Sequence, residues 1–220
     1  MRPPGSSAPS APLPAFTSRV VPVVVISDAA QAVPLARALL DGGIDVIEIT
    51  LRSAAALASI EAIARALPAM QVGAGTVTRA AEVAQVISAG ARFALSPGFT
   101  PALLQAVHDA GLPFVPGVAS AGEAMAARDD GFSLLKCFPA APLGGVALLK
   151  AWAGPLPELR FCPTGGITAA DCGRYLALPN VAMVGGSWLT PAAALQAGDW
   201  AQITRLAREA CAIAAAVAAR

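Results

Sequence analysis

Eight short segments rich in β-branched residues alternate with alanine- and leucine-rich segments of helical length, from Arg19 to the end of the chain. This alternation indicates parallel strands joined by helices, because a parallel strand needs a long crossover to return to its sheet. The predicted strands cover residues 20–26, 45–51, 71–77, 92–98, 113–118, 134–140, 160–166 and 181–187. The predicted helices cover residues 30–41, 55–67, 80–89, 101–110, 121–129, 145–153, 169–178 and 199–219.

Eight strand–helix units favour a (β/α)8 TIM barrel, an α/β fold with a parallel eight-stranded barrel inside a ring of outer helices. An open doubly wound sheet is the alternative. It would usually have fewer strands and a glycine-rich nucleotide loop, and no GxGxxG motif follows residues 20–26. We predict one barrel domain over residues 19–220. A proline-rich, flexible extension is expected over residues 1–18, where no apolar segment of signal-peptide length follows Arg2.

Charge and composition exclude several classes of function. The formal net charge of +1 gives no electrostatic basis for binding nucleic acid or an anionic membrane. No apolar run approaches the roughly 20 residues that span a bilayer. The four cysteines include no CxxC pair, and one histidine completes no plausible zinc site. We expect a cytoplasmic protein with reduced thiols, no metal and no cofactor.

Polar and glycine residues collect at the carboxyl ends of the predicted strands, where barrel enzymes carry their active sites. They are Glu48, Thr50 and Arg52 on the second strand; Gly73, Gly75 and Thr76 on the third; Ser96, Pro97 and Gly98 on the fourth; Lys136 and Phe138 on the sixth; Thr164, Gly165 and Gly166 on the seventh; and Gly185, Gly186 and Ser187 on the eighth.

Lys136 is one of only two lysines among 15 basic residues, and it lies between leucines and a phenylalanine in a predicted strand. Burial disfavours the charged ammonium, and a neutral amine is the nucleophile that forms Schiff bases with carbonyl compounds. The alternative is a buried lysine that only pairs with a carboxylate for structure. Lys150, on the sixth predicted helix, is expected to be a solvated surface residue.

Side chains alternate along a strand, so Glu48 and Arg52 share one face of the second strand, as Lys136 and Phe138 share one face of the sixth. If both faces point into the barrel, Glu48 and Lys136 meet and can exchange protons. A structural ion pair is the alternative. Arg52 leaves the barrel where its planar guanidinium could bind a carboxylate or phosphate, although a solvated loop arginine is equally consistent.

Paired glycines follow the seventh and eighth strands, at Gly165–Gly166 and Gly185–Gly186, with Ser187 next in the chain. Backbone amides at these two loops often bind phosphate in barrels, so a phosphorylated substrate is expected, although tight turns also favour glycine. His108 lies on the fourth predicted helix and is assigned no catalytic role.

These residues, in this order, resemble the 2-keto-3-deoxy-6-phosphogluconate (KDPG) and 4-hydroxy-2-oxoglutarate aldolases, a class I Schiff-base family. The match runs from about Val20 to Ala210. Its most specific segments are residues 21–23, 48–52, 73–77, 96–98, 136–140, 160–167 and 185–188. Two departures are Cys137, where the family often has an aromatic residue, and the proline-rich N-terminus, where it has an amphipathic helix. The second leaves open how the bottom of the barrel is covered.

The resemblance implies an aldehyde-lyase of the Entner–Doudoroff pathway that cleaves KDPG to pyruvate and glyceraldehyde 3-phosphate, typically as a homotrimer. Lys136 matches the Schiff-base lysine and Glu48 the acid/base carboxylate. The implied binding residues are Arg52, Thr76, Pro97 and Phe138 for the pyruvyl end, Thr164 for the substrate hydroxyl region, and Gly165, Gly166, Gly186 and Ser187 for the phosphate.

Other substrates and functions remain open. The same chemistry could act on the galactonate epimer or on unphosphorylated 4-hydroxy-2-oxoglutarate. A phosphate-binding barrel isomerase would use Glu48 as a base and Lys136 only as an electrostatic partner, without a covalent step. A noncatalytic sugar-phosphate sensor would bind its ligand without turnover.

Overall fold

Strands and helices alternate along most of the computed structural model, which describes residues 10–219. The strands are β1 Val20–Val24, β2 Val46–Thr50, β3 Gln71–Gly75, β4 Phe93–Leu95, β5 Phe114–Val115, β6 Gly117–Val118, β7 Leu134–Cys137, β8 Arg160–Phe161 and β9 Val184–Gly186. The helices are α1 Ala32–Asp41, α2 Ala56–Ala66, α3 Ala80–Ser88, α4 Pro101–Ala110, α5 Ala121–Asp129, α6 Gly145–Ala153, α7 Ala169–Leu176, α8 Ala192–Ala197 and α9 Trp200–Ala218.

Each predicted strand and helix contains an observed one, with three differences. The predicted strand at 113–118 divides into β5 and β6 at Pro116, which has no N–H to donate to a neighbouring strand. A 3-10 turn at Ala29–Gln31 precedes α1, and the short helix α8 was not predicted. Most strands also end earlier than predicted, so their last polar residues lie in loops.

All strand pairs are parallel. A six-stranded sheet has the order β5-β4-β3-β2-β1-β9, and a three-stranded sheet has the order β6-β7-β8. Isolated parallel bridges pair Phe161 with Val181 and Thr164 with Gly185, next to β8 and β9. The parallel α/β class is therefore confirmed, while closure into one eight-stranded barrel stays a prediction.

The strands form the core because they are buried on both faces, as parallel strands covered by helices are. Every residue of β1 and β2 is buried. The helices lie outside and begin and end at recognisable signals. In α4, for example, the Thr100 hydroxyl accepts a hydrogen bond from the Leu103 amide, Pro101 takes the first helical position, and Gly111 ends the helix at φ 61°.

Residues 10–18 contain no helix or strand but pack against the amino-terminal ends of the strands. The Phe16 ring lies 6.2 Å from the ring of Phe93, the first residue of β4. The backbone amides of Thr17 and Ser18 donate hydrogen bonds to the carboxylate of Asp45, just before β2. This segment thus contributes to covering the bottom of the fold. Residues 1–9 of the predicted extension lie outside the described residues, and the domain boundary at residue 18 stays a prediction.

Candidate active site

The most unusual feature of the interior is a buried ion pair between β7 and β2. Lys136 Nζ lies 2.8 Å from Glu48 Oε1, and the two residues are 4% and 0% exposed. The other carboxylate oxygen, Glu48 Oε2, has no hydrogen-bond partner among residues 10–219. Burying two charges and leaving an oxygen unpaired is costly, and apolar packing would serve stability as well. The arrangement therefore points to chemistry at this pair.

Strand pairing and one close backbone approach fix the positions of the two side chains. Glu48 is in register with Gly73 of β3, and the Lys136 amide donates a 2.8 Å hydrogen bond to the Pro116 carbonyl. At Gly75, the last residue of β3, a Cβ would overlap the Glu48 carboxylate. Glycine is thus required at this position for the carboxylate to reach Lys136.

The surroundings of Lys136 are apolar on one side and weakly polar on the other. Its Nζ lies 5.7 Å from the centroid of the half-buried Phe138 ring. Burial raises the pKa of the neighbouring Cys162 thiol to about 11, with Lys136 lowering it and Glu48 raising it. The thiol therefore stays protonated at neutral pH, which leaves the lysine amine as the nucleophile of this site.

Arg52 lies at the rim, in the turn that follows β2, and it is exposed. Its Nε donates a 3.3 Å hydrogen bond to the Thr50 hydroxyl, which itself donates to the Val24 carbonyl at 2.9 Å. The two terminal nitrogens of the guanidinium make no hydrogen bond within residues 10–219. Thr50 thus orients a guanidinium whose fork remains available for an anionic group.

Thr76 follows β3 in a left-handed backbone conformation with φ 59°, at the only non-glycine residue with positive φ among those described. Such a conformation is strained for a β-branched residue and is often found at functional sites. Just after the next strand, β4, the half-buried Pro97 packs so closely on Gly117 that a Cβ there would overlap the Pro97 backbone. Both predicted pocket residues lie at the carboxyl ends of their strands.

The loop after β8 lies beside β9, the strand that carries Gly185 and Gly186. Thr164 is buried and bridges to Gly185, where a Cβ would overlap its hydroxyl. Gly165 and Gly166 adopt φ of 99° and 75°, conformations that favour glycine. Beyond Gly185, Gly186 is buried and Ser187 is exposed. The two pairs of glycines are thus neighbours in the structure, and their role as an anion site stays a prediction.

Four supporting residues had been given no individual role from the sequence: Thr50, Gly75, Gly117 and Gly185. Strand alternation placed Thr50 beside Arg52, but the need for a missing side chain at the glycines depends on contacts between strands. The excluded His108 lies on α4, where its Nε2 is 2.9 Å from Asp130 Oδ2. Its ring is 5.2 Å from Phe132.

Two further findings concern the wider class of the protein. Among residues 10–219, no three His, Cys, Asp or Glu side chains are grouped in a way that could hold a metal ion. None of the helices in that same part of the chain has both the length and the apolar character of a membrane span.

Comparison with known proteins decides the family. The family model for KDPG and KHG (4-hydroxy-2-oxoglutarate) aldolases matches residues 15–206 of the chain. The chain belongs to this family. The resemblance inferred from the sequence motifs is confirmed.

Individual members of the KDPG and KHG aldolase family are similar over most of their length. The 2-dehydro-3-deoxy-phosphogluconate aldolase of Pseudoalteromonas atlantica is 52% identical, over 90% of this chain and 92% of its own. A crystal structure of KDPG aldolase from Legionella pneumophila holds pyruvate as a covalent carbinolamine intermediate. It has a TM-score of 0.86 and 45% identity, over 88% of this chain and 94% of its own. The aldolase of Zymomonas mobilis ZM4 with 3-phosphoglycerate has a TM-score of 0.84 and 43% identity, over 89% and 92%.

Proposed function

We propose that this protein is a class I aldolase that cleaves KDPG to pyruvate and glyceraldehyde 3-phosphate through a Schiff base on Lys136. The observation that carries the proposal is the buried contact of 2.8 Å between Lys136 Nζ and Glu48 Oε1. An amine and a carboxylate at this distance can exchange a proton, so the amine can be neutral when it attacks and the carboxylate is available as an acid or base.

The reaction begins when the neutral Lys136 amine attacks the 2-keto carbon of the substrate. The carbinolamine formed loses water to become an iminium ion, and Glu48 is the group within reach to move the protons of these steps. The Legionella pneumophila relative holds pyruvate as this kind of carbinolamine, which supports the covalent route. The iminium cation then serves as an electron sink for bond cleavage.

Cleavage follows when Glu48, directly or through a water molecule, removes the proton from the carbon-4 hydroxyl. The electrons of the bond between carbons 3 and 4 move to the iminium, so that glyceraldehyde 3-phosphate leaves and an enamine remains. Protonation of the enamine at carbon 3, by the same carboxyl group, regenerates an iminium ion. Hydrolysis of that ion releases pyruvate and returns the Lys136 amine.

The substrate is bound by residues from several strand ends. Arg52 and Thr76 hold its carboxylate, Pro97 and Phe138 shape the pyruvyl pocket, and Thr164 contacts the hydroxyl region. Arg52 suits this role because its terminal nitrogens are open. The phosphate lies in a cradle that we define by its members, Gly165, Gly166, Gly186 and Ser187. Binding of 3-phosphoglycerate by the Zymomonas mobilis relative supports a phosphorylated ligand.

The galactonate epimer and 4-hydroxy-2-oxoglutarate are the alternative substrates, and the family description includes KHG aldolases. The phosphate cradle favours the phosphorylated substrates, because backbone amides at two glycine loops are stabilised by a bound anion. Rates of cleavage of the three compounds by the same preparation decide the preference. Cleavage of 4-hydroxy-2-oxoglutarate as fast as that of KDPG would show that the cradle adds little to catalysis.

We also propose that the two sheets close into one eight-stranded barrel and that the protein is a cytoplasmic homotrimer. Closure is supported by the bridges Phe161–Val181 and Thr164–Gly185 on one side. On the other side, β5 and β6 are separated only by Pro116 and belong to different sheets. The trimer is supported by the family resemblance, and light scattering of the purified chain gives its mass directly.

The decisive experiment is borohydride reduction of the protein in the presence of pyruvate, followed by mass mapping of peptides. The expected result is a pyruvyl adduct on Lys136 and none on Lys150. Lys136→Arg serves as the matched variant, because it keeps the charge but removes the primary amine. A folded protein that forms no adduct would favour the isomerase, or the sensor if the ligand also binds without turnover.

A further inference from the structure

A second polar cavity, of about 470 Å³, lies at the amino-terminal end of α6, outside the site of the lysine–glutamate pair. Lys150, Arg174 and Tyr175 line it together with the backbone of Gly145 and Gly166. It thus joins the outer helices α6 and α7 to the loop after β8. None of the residues assigned to the Schiff-base step lines this cavity.

The Tyr175 side chain is buried up to its hydroxyl, which reaches the cavity. Tyr175 is 4% exposed, and its hydroxyl makes no hydrogen bond with any of residues 10–219. It points at the start of α6, where a Cβ on Gly145 would lie 2.6 Å from Tyr175 Oη. Burial, with Asp171 nearby, raises the pKa of this hydroxyl despite Arg174, so it keeps its proton and can donate a hydrogen bond. An unpaired donor at a helix start is suited to an anion.

The start of α6 is open for the approach of a ligand. Gly144 and Gly145 adopt φ of 112° and 58°, so neither position carries a side chain that would cover the first turn. The amides of Gly145 and Ala147 donate to the carbonyls of Ala140 and Gly144. The amide between them, that of Val146, has no acceptor among the described residues. The helix has nine residues, and its N-terminus is the positive end of its dipole.

The charged side chains of the cavity leave a net positive charge. Lys150 is exposed and forms no ion pair within the part of the chain that the structure describes. Arg174 lies 3.6 Å from the carboxylate of Asp171, which also accepts a 2.8 Å hydrogen bond from Thr168. The single carboxylate of the cavity is therefore already shared between two donors, whereas Lys150 is not neutralised.

We propose that this cavity is a second oxyanion site, which takes inorganic phosphate or a phosphate monoester between Lys150, the Tyr175 hydroxyl and the start of α6. The site shares Gly166 with the phosphate cradle, and its other lining residues are its own. Hydrogen bonds of 2.8 and 3.0 Å from Ala140 and Ala141 to the carbonyls of Thr164 and Gly165 connect the two loops. The proposal goes beyond aldol cleavage and does not depend on it.

Equilibrium dialysis of the full chain against radiolabelled inorganic phosphate tests the proposal. The wild type is expected to bind two phosphates per chain. Lys150→Gln and Tyr175→Phe should each raise the Kd for phosphate at the α6 site by about tenfold, since each removes one donor. The Kd for phosphate at the cradle should stay the same. Ser187→Asp should abolish phosphate binding at the cradle only, because it places a negative charge there. Arg37→Gln, which removes an exposed cation on α1, is the matched control and should leave both phosphates bound.

A wild type that binds one phosphate, lost in Ser187→Asp, would overturn the proposal. So would a second phosphate whose affinity is the same in Lys150→Gln and Tyr175→Phe. Competition with glycerol 3-phosphate separates the two sources of the anion: displacement from both sites means that monoesters are accepted, and displacement from the cradle alone means a site for inorganic phosphate. Binding is measured without turnover, so failure here is distinguishable from failure of the aldolase proposal.

Discussion

Gly75 lies so close to Glu48 that a side chain on Gly75 would occupy the position of the Glu48 carboxylate. The two residues lie on the neighbouring strands β2 and β3, and Gly75 precedes Thr76, whose φ of 59° is unusual for threonine. The glycine therefore permits two features of the site at once. It leaves room for the carboxylate beside Lys136, and it directly precedes the half-buried Thr76, at which the chain leaves β3.

We expect Gly75→Ala to lower kcat for aldol cleavage by about 10²-fold or more, because a displacement of the carboxylate by about 1 Å is enough for such a loss. Steady-state kinetics and a circular dichroism spectrum measure the activity and the fold. Gly154→Ala is the control, since no atom lies within 4 Å of a Cβ at that position. Equal kcat values for Gly75→Ala and Gly154→Ala would show that catalysis does not depend on the position of the Glu48 carboxylate.

Glu48→Gln should lower kcat by about 10² to 10⁴, because the amide cannot take up or return the protons of cleavage. The shape of the side chain is kept, so Lys136 should still be trapped by borohydride with pyruvate, but more slowly, because Glu48 also moves the protons of Schiff-base formation. Stopped-flow or steady-state cleavage assays are compared with the yield of adduct in the same preparation. If the pair were purely structural, stability would fall while the rate per folded molecule stayed the same.

Thr50→Val should raise KM for KDPG about fivefold and change kcat little, because it removes the hydroxyl that orients Arg52. A single hydrogen bond of this kind contributes about 1 kcal/mol. Thr50→Ser keeps the hydroxyl and is expected to restore the wild-type KM. A KM that is unchanged in Thr50→Val would show that Arg52 finds its position without this contact.

The buried thiols predict a loss of stability at alkaline pH. Burial raises the pKa of Cys172 from 9.0 to about 11, with Arg19 opposing the shift. Above pH 9 the unfolded chain loses this proton while the folded chain keeps it, so the free energy of unfolding falls as pH rises towards about 11. The slope should be about 1 kcal/mol per pH unit for each such thiol.

Urea unfolding between pH 8 and pH 11 measures this slope, and Cys172→Ala should make it shallower by the share of one thiol. The alanine variant is expected to be less stable than the wild type at pH 7, because it leaves a small cavity. Parallel slopes for the two proteins would show that Cys172 ionises alike in the folded and unfolded chains.

The order of strands and helices could be predicted because the buried parallel strands are short and rich in β-branched residues. The helices between them are longer and rich in alanine and leucine. Alternation could place Glu48 on one strand face with Arg52, and Lys136 on one strand face with Phe138, but it left open whether both faces point inward. The contact between Glu48 and Lys136 could not be predicted, since it depends on how far apart β2 and β7 lie once the sheets curve. Pro116 interrupts a strand that composition predicts to be continuous, because one missing N–H outweighs the surrounding apolar residues.

The finer parts of the site depend on three-dimensional packing that no pattern in the sequence encodes. Gly75 and Gly185 are required because of side chains on neighbouring strands, and their role appears only when the strands are in register. Thr76 carries no local signal for a left-handed conformation. The short helix α8 was missed because its six residues, Ala192–Ala197, are too few for a clear helical period.

The lysine and the glutamate that meet at 2.8 Å are 88 residues apart in the sequence. Contacts of such long range form only after much of the chain has been ordered, and they slow folding. The reactivity of Lys136 towards pyruvate therefore reports when β2 and β7 come together during folding. Samples of the refolding chain can be treated with pyruvate and borohydride at successive times. Lys136 should become labelled only after β2 and β7 have come together, even if most of the helix content has formed earlier.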